Sequence, residues 1–170
     1  MKQYLLIGIL CFAIACKNDD SKGPVTPLPD APKSMSYSII TSYPHDTSSY
    51  TQGLLIYKGE MYEGTGNYTF SKLKKVDIKT GKALQQISLP DEYFGEGITI
   101  LNDTIYQLTW KEKKVFVYTL KDFKKVKEFD ANIEGWGLTN DGKNLIVSTG
   151  GSDLNFYDPS TFKLLKTQTV

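Results

Sequence analysis

The chain contains no arginine; all twenty of its cations are lysine. That removes the planar fork that grips phosphate or guanine through two hydrogen bonds, and a formal net charge of +1 provides no general field for a polyanion. Nucleic-acid binding is therefore excluded. Histidine occurs once, as His45, which leaves no set of imidazoles for a zinc site and no serine–histidine pair elsewhere. No metal and no cofactor is expected. The two cysteines, Cys11 and Cys16, both lie at the start of the chain, so the remainder must fold without disulfides. No apolar run reaches the roughly 20 residues of a membrane helix. At 170 residues the chain is long enough for one domain with a sizeable core.

What is present begins with an address. Lys2 precedes an apolar run of twelve residues, Tyr4 to Ala15, which suits a secretory signal. The run ends Ala13-Ile14-Ala15-Cys16, which resembles the lipobox of bacterial lipoproteins and implies acylation of Cys16 after cleavage; cleavage by the ordinary signal peptidase after Ala15 is the alternative. Lys17 stands where an aspartate would favour the inner membrane of enteric bacteria. The expectation is an exported protein held by lipid at a bacterial membrane, the outer one, facing periplasm or surface. Residues 17–36 hold four of the seven prolines among small and charged residues, and read as a disordered tether.

From Tyr37 onward the pattern is that of strands. Alternation recurs in "KVFVYTL" and "LNFYDP", and turn signals such as "YKGE", "KTGK", "LNDT" and "TNDGK" return at short intervals. No stretch keeps a helical period. The frame itself repeats. Gly53, Gly97 and Gly137, 44 and 40 residues apart, open "GLLIYKGEMYEGTG", "GITILNDTIYQLTW" and "GLTNDGKNLIVSTG". Further on, "VDIKTGKAL", "YTLKDFKKV" and "YDPSTFKLL" align as a third strand, a turn and a fourth strand. Four short antiparallel strands in about 40 residues make a β-propeller blade, and three blades are present.

In a propeller the first strand of each blade lines the channel, and residues two apart on a strand share a face. Tyr50 and Gln52, Phe94 and Glu96, and Glu134 and Trp136 then form equivalent pairs, each beside a glycine where strands crowd the axis. The frame holds while its content changes from amide to carboxylate to indole, which suggests a pocket. Trp110 stands where the sister blades have Gly66 and Gly150; it either walls that cavity or fills space. The plainer readings are a solvated strand-end carboxylate for Glu96 and a core filler for Trp136. Tyr62 and Tyr106 read as core, Asp77 and Asp158 as turn formers, and the lysines around Lys74 and Lys113 as solvated.

In order, "YTQGL", "YEGTGNY", "VDIKTGK", "LPDEYFGEGIT", "YQLTW" and "EGWGLTNDG" resemble the plant- and bacterial-type glutamine cyclotransferases, over nearly everything from Tyr50 to Val170. The resemblance implies a five-bladed propeller that converts N-terminal glutamine of peptides or proteins to pyroglutamate with release of ammonia. It also implies Glu96 and Gln52 as catalytic residues, with Tyr50, Phe94, Trp110 and Trp136 binding substrate. Phenylalanine is usual in the family where this chain has Tyr50. The family's two further blades add an asparagine, a tryptophan and a lysine to the pocket, so residues 37–170 are expected to be a partial propeller, a truncated form of the enzyme of doubtful activity on its own. The competing expectation is a non-catalytic propeller lipoprotein whose face is a binding platform.

Overall fold

The computed structural model describes residues 34–170; the signal, Cys16 and most of the proposed tether lie outside the described residues. The described chain is all β. Its twelve strands are β1 (Thr51–Tyr57), β2 (Glu60–Thr65), β3 (Lys72–Val76), β4 (Ala83–Ser88), β5 (Gly95–Leu101), β6 (Thr104–Thr109), β7 (Lys114–Thr119), β8 (Lys125–Asp130), β9 (Leu138–Asn140), β10 (Leu145–Ser148), β11 (Asp153–Tyr157) and β12 (Leu164–Thr169). They form three four-stranded antiparallel sheets in sequence order, β1–β4, β5–β8 and β9–β12, the blades that the repeat predicts. The first strand starts at Thr51 and not near Tyr37: residues 34–50 carry no regular structure, and up to Pro44 they are exposed, so they have no sheet to join.

Two cores lie between successive blades. Tyr62 and Leu73 of the first blade pack with Ile98, Ile100, Ile105 and Phe116 of the second. Leu108, Val115 and Val117 of the second pack with Leu145, Val147 and Tyr157 of the third. Each blade has one short twisted sheet and little core of its own, so burial comes from stacking on a neighbour. Tyr62 and Tyr106 are buried, as their repeat position predicts. The repeated glycines set how closely inner strands approach. A Cβ on Gly53 would stand 2.5 Å from the Ile98 nitrogen, and one on Gly97 would stand 2.5 Å from the Trp136 carbonyl oxygen. The Gly97 N–H donates to that same carbonyl at 2.9 Å. Any larger side chain would force the inner strands apart.

The turns follow the same economy. One carboxyl oxygen of Asp77 accepts from the backbone N–H groups of Lys79 and Thr80, and Asp158 does the same for Ser160 and Thr161. Both are turn formers, as the sequence indicates. Lys74 is a correction. It is 3% exposed, and its Nζ donates to Asp46 at 2.9 Å and to Ser49 at 2.5 Å, with Glu63 4.0 Å away. Residues 45–49 cross the blade over the Glu63–Lys74 pair and cover what the lysine-rich sequence presents as a solvated edge.

Candidate active site

The pocket sits where inner strands begin. Tyr50, Gln52, Asn67, Phe94, Glu96, Trp110 and Trp136 line one cavity of about 460 Å³. All six residues expected there are brought together. Glu134, paired with Trp136 by the repeat, is instead exposed and does not line the cavity.

Simple alternation does not account for how Gln52 and Glu96 reach the cavity. In the first blade Thr51 pairs with Thr65 and Gly53 with Gly64, so Gln52 is an extra residue on its strand. In the second, Gly95 pairs with Thr109 and Ile98 with Gln107, so Glu96 and Gly97 stand opposite Leu108 alone. Both polar groups therefore sit in β-bulges, which re-aim a side chain and are frequent beside active sites. Gly53, next to the bulged Gln52, and Gly97, within the second bulge, fit the close approach of the next inner strand.

Aromatic rings wall the cavity around Phe94. Its ring meets Tyr50 edge-on at 6.3 Å, Tyr68 at 5.5 Å and Trp110 at 5.5 Å between centroids. Trp110 is thus wall and not filler. Gly66 leaves room for the Phe94 ring, where a Cβ would stand 2.5 Å from a ring carbon. Gly150 does the same beneath the Trp136 indole, at a positive φ of 78°. Trp136 is half exposed and forms the open side of the wall.

Sequence reasoning missed Asn67 and its loop. Asn67 and Thr69 both have left-handed backbones, at φ 84° and 68°. Asparagine tolerates this region, but a β-branched threonine there is strained, and such strain concentrates at functional sites. The loop is tied to the strand that carries the acid. The Ser71 hydroxyl donates to the Asn67 carbonyl at 2.8 Å and accepts from the Gly95 N–H at 2.9 Å. Only the asparagine–tyrosine pair after "GTG" hints at this in the sequence.

Glu96 governs the electrostatics. It is 6% exposed, and among the described residues no hydrogen bond reaches its carboxyl group. Burial pushes its pKa up to about 7, and the Glu112 carboxylate adds to the rise. A carboxyl group at that pKa can give or take a proton near neutral pH. Gln52 beside it offers two N–H donors and a carbonyl. The cavity can hold a small polar side chain among rings, move one proton and stabilise one developing negative charge.

Fold and site together define a β-propeller with an aromatic pocket around one buried carboxyl group whose pKa burial pushes up to about 7. The family model for glutamine cyclotransferase matches residues 7–170, and the chain belongs to that family. It is 41% identical over 129 residues to a glutaminyl-peptide cyclotransferase of Arabidopsis thaliana, over 74% of this chain and 40% of that protein. The structure resembles the glutaminyl cyclase of Myxococcus xanthus with a TM-score of 0.73 and 30% identity, over 78% of this chain and 56% of that one. The Neurospora crassa Pan2 WD40 domain, at 15% identity and a TM-score of 0.58 over 70% of this chain and 36% of that one, shares the fold. This chain spans about two fifths of the plant relative and just over half of the bacterial structure.

Proposed function

We propose that this pocket serves a glutaminyl-peptide cyclotransferase, which closes the N-terminal glutamine of peptides or proteins into pyroglutamate. The observation that carries the reading is Glu96, buried among aromatic rings with no hydrogen-bond donor to its carboxyl group among the described residues, in the cavity that Gln52 also lines. The substrate's own α-amine is the nucleophile. Its nitrogen attacks the γ-carboxamide carbon, the new C–N bond closes a five-membered ring, and the old one breaks to release ammonia. One proton must pass from the attacking nitrogen to the departing one. Because the reaction is intramolecular, holding the reacting atoms in contact supplies much of the acceleration. The rings hold the side chain folded and exclude water. Gln52 donates to the carbonyl oxygen as it gains charge, and the Glu96 carboxyl relays the proton. A propeller face used only for docking has no need of such a carboxyl group. The direct test is ammonia and pyroglutamate formation from a Gln-initiated dipeptide by the complete gene product. Saturable binding of the peptide without ammonia release would transfer the pocket to the binding-platform reading.

The same reading includes export and anchoring at a bacterial membrane through acylated Cys16. Support comes from the apolar run Tyr4–Ala15 and its Ala-Ile-Ala-Cys ending. Lasting attachment needs more than one acyl chain, which lipoprotein processing supplies. Cys16→Ala should move the protein to the soluble fraction, and retention of the variant on membranes through a carbonate wash would overturn the anchor.

A further inference from the structure

Glu112 is a carboxylate in the turn between β6 and β7, outside the cavity lining, and the sequence presents it as one more charge in "KEKK". Its surroundings are specific. Oε2 accepts from the Phe94 backbone N–H at 3.3 Å, and Oε1 accepts from the Tyr68 hydroxyl at 2.9 Å. Phe94 returns the contact, because its carbonyl accepts from the Trp110 N–H at 3.0 Å. The turn is closed by the Lys113 N–H on the Trp110 carbonyl at 3.3 Å. Glu112 thus joins three of the rings around the pocket: Phe94 through its backbone, Tyr68 through its hydroxyl, and Trp110 through the shared turn.

Its charge is not cancelled by an ion pair among the described residues. Of its neighbours in the turn, Lys111 lies over the Trp110 ring, 4.3 Å from the centroid, and Lys113 is exposed. From the loop after β2 comes the neutral Tyr68. Around Glu96, the segment entering β1 contributes Tyr50 to the cavity, β1 itself contributes Gln52, and the segment before β9 contributes Trp136. The nearby negative charge is that of Glu112.

We infer that Glu112 is a positioning residue of the pocket, bracing Phe94 and Tyr68 through its two hydrogen bonds. The effect on turnover rests on the cyclisation reading, whereas the effects on geometry and on Glu96 do not. Like charges disfavour each other's ionised forms, so Glu112 helps Glu96 keep its proton near neutrality. The two roles can be separated. Glu112→Gln keeps the shape and an acceptor for the Phe94 N–H but removes the charge, whereas Glu112→Ala removes both.

The test is a carbon-13 carboxyl titration of the full chain with labelled glutamate, the Glu96 signal being identified by its loss in Glu96→Gln. Both Glu112 variants should lower the Glu96 midpoint. In ammonia release, Glu112→Gln should move the pH profile downward and leave KM close to wild type. Glu112→Ala should also raise KM, on the order of tenfold, as the Phe94 wall loosens. An unchanged Glu96 midpoint in both variants would overturn the electrostatic role. A KM in Glu112→Gln as poor as in Glu112→Ala would overturn the bracing role. If the complete wild-type gene product releases no ammonia, the cyclisation reading fails while the titration still decides the action of Glu112 on Glu96.

Discussion

Two glutamates are buried in neighbouring blades, and their surroundings are opposite. Glu63, on β2, is 1% exposed; it accepts from the Thr51 hydroxyl at 2.6 Å and meets the His45 ring nitrogen at 2.9 Å, with the buried Lys74 4.0 Å away. Glu96, on β5, is nearly as buried and is given aromatic faces and another carboxylate. Burial of a charge is tolerated when donors and an opposite charge replace the lost water. Around Glu63 they do, and the result is structure: residues 45–49 are fastened across the first blade. Around Glu96 they do not, and burial pushes its pKa up to about 7. The same residue type, about equally buried, becomes an anchor or an acid according to what surrounds it.

Glu96→Gln gives the largest expected effect. Glutamine keeps size and reach but cannot exchange a proton near neutrality, so turnover of a Gln-peptide should fall by roughly 10²- to 10⁴-fold with the fold intact. Stability should move the other way. Because the folded state raises this pKa to about 7 from 4.5, folding favours the protonated form; the associated stabilisation is complete below pH 4.5 and lost as pH rises through 7. Between those limits the variant should gain up to about 3 kcal/mol on wild type in denaturant melts. A substrate amine with an unperturbed pKa of ~7.7 to 8.0 and an acid near 7 also predict a narrow bell for kcat/KM, with its maximum between the two values. A stability difference that does not change with pH would return Glu96 to an ordinary solvated carboxylate.

Lys74→Met attacks the other half of the comparison. It strips the buried cation from Glu63 and Asp46, whose carboxyl is held well below the usual range by hydrogen bonds from Ser48 and from Lys74 itself. Removing one member of a buried pair leaves the other uncompensated, at a cost of about 3 kcal/mol. Chemical denaturation should show that loss, while the Glu96 titration stays in place. Shifts in both would mean that the two sites are coupled through Thr51, which lies between Tyr50 and Gln52.

Ser71→Ala should cost less and act on the site side. The Ser71 hydroxyl is the acceptor for the buried Gly95 N–H beside Glu96, and losing it leaves that donor unsatisfied. A loss of about 1 to 2 kcal/mol in a denaturant melt is expected, with a rise in KM as the Asn67 loop slackens. Loss of stability with an unchanged KM would make Asn67 a bystander.

Much of this was legible before any coordinates, for a definite reason. The repeat fixes blade boundaries, and residues in the same frame position converge on the same axis, so register singles out Gln52, Glu96 and Trp136, while their roles come from the family resemblance. Contrast with Gly66 and Gly150 singles out Trp110 but leaves wall and filler both open. What escaped was whatever depends on contacts between segments distant in sequence. Lys74 lies in "KLKK", which has the look of a solvated strand, and only the crossing of residues 45–49 buries it. Glu112 lies in a charged turn, and its partners Tyr68 and Phe94 are 44 and 18 residues away. Bulges were invisible too, since one extra residue on a strand leaves no mark in composition, and strict alternation wrongly placed Glu134 beside Trp136.

The smallest expected effect concerns the Tyr50 hydroxyl. The Tyr50 ring stands edge-on to Phe94 at 6.3 Å and lines the cavity, yet the residue is 55% exposed, so its hydroxyl keeps access to water. Among the described residues its side chain makes no hydrogen bond, whereas its backbone carbonyl accepts from the Gly66 N–H at 2.8 Å and fixes where the ring is held. Ring contact and backbone anchor both survive in Tyr50→Phe. That variant should change kcat/KM by less than about twofold and stability by less than about 0.5 kcal/mol. Tyr50→Ala removes the edge contact and should weaken peptide binding by about 0.5 to 1.5 kcal/mol, visible as a higher KM at nearly constant kcat. A large loss in Tyr50→Phe would show that the hydroxyl meets the substrate, and would extend the polar side of the pocket beyond Gln52 and Glu96.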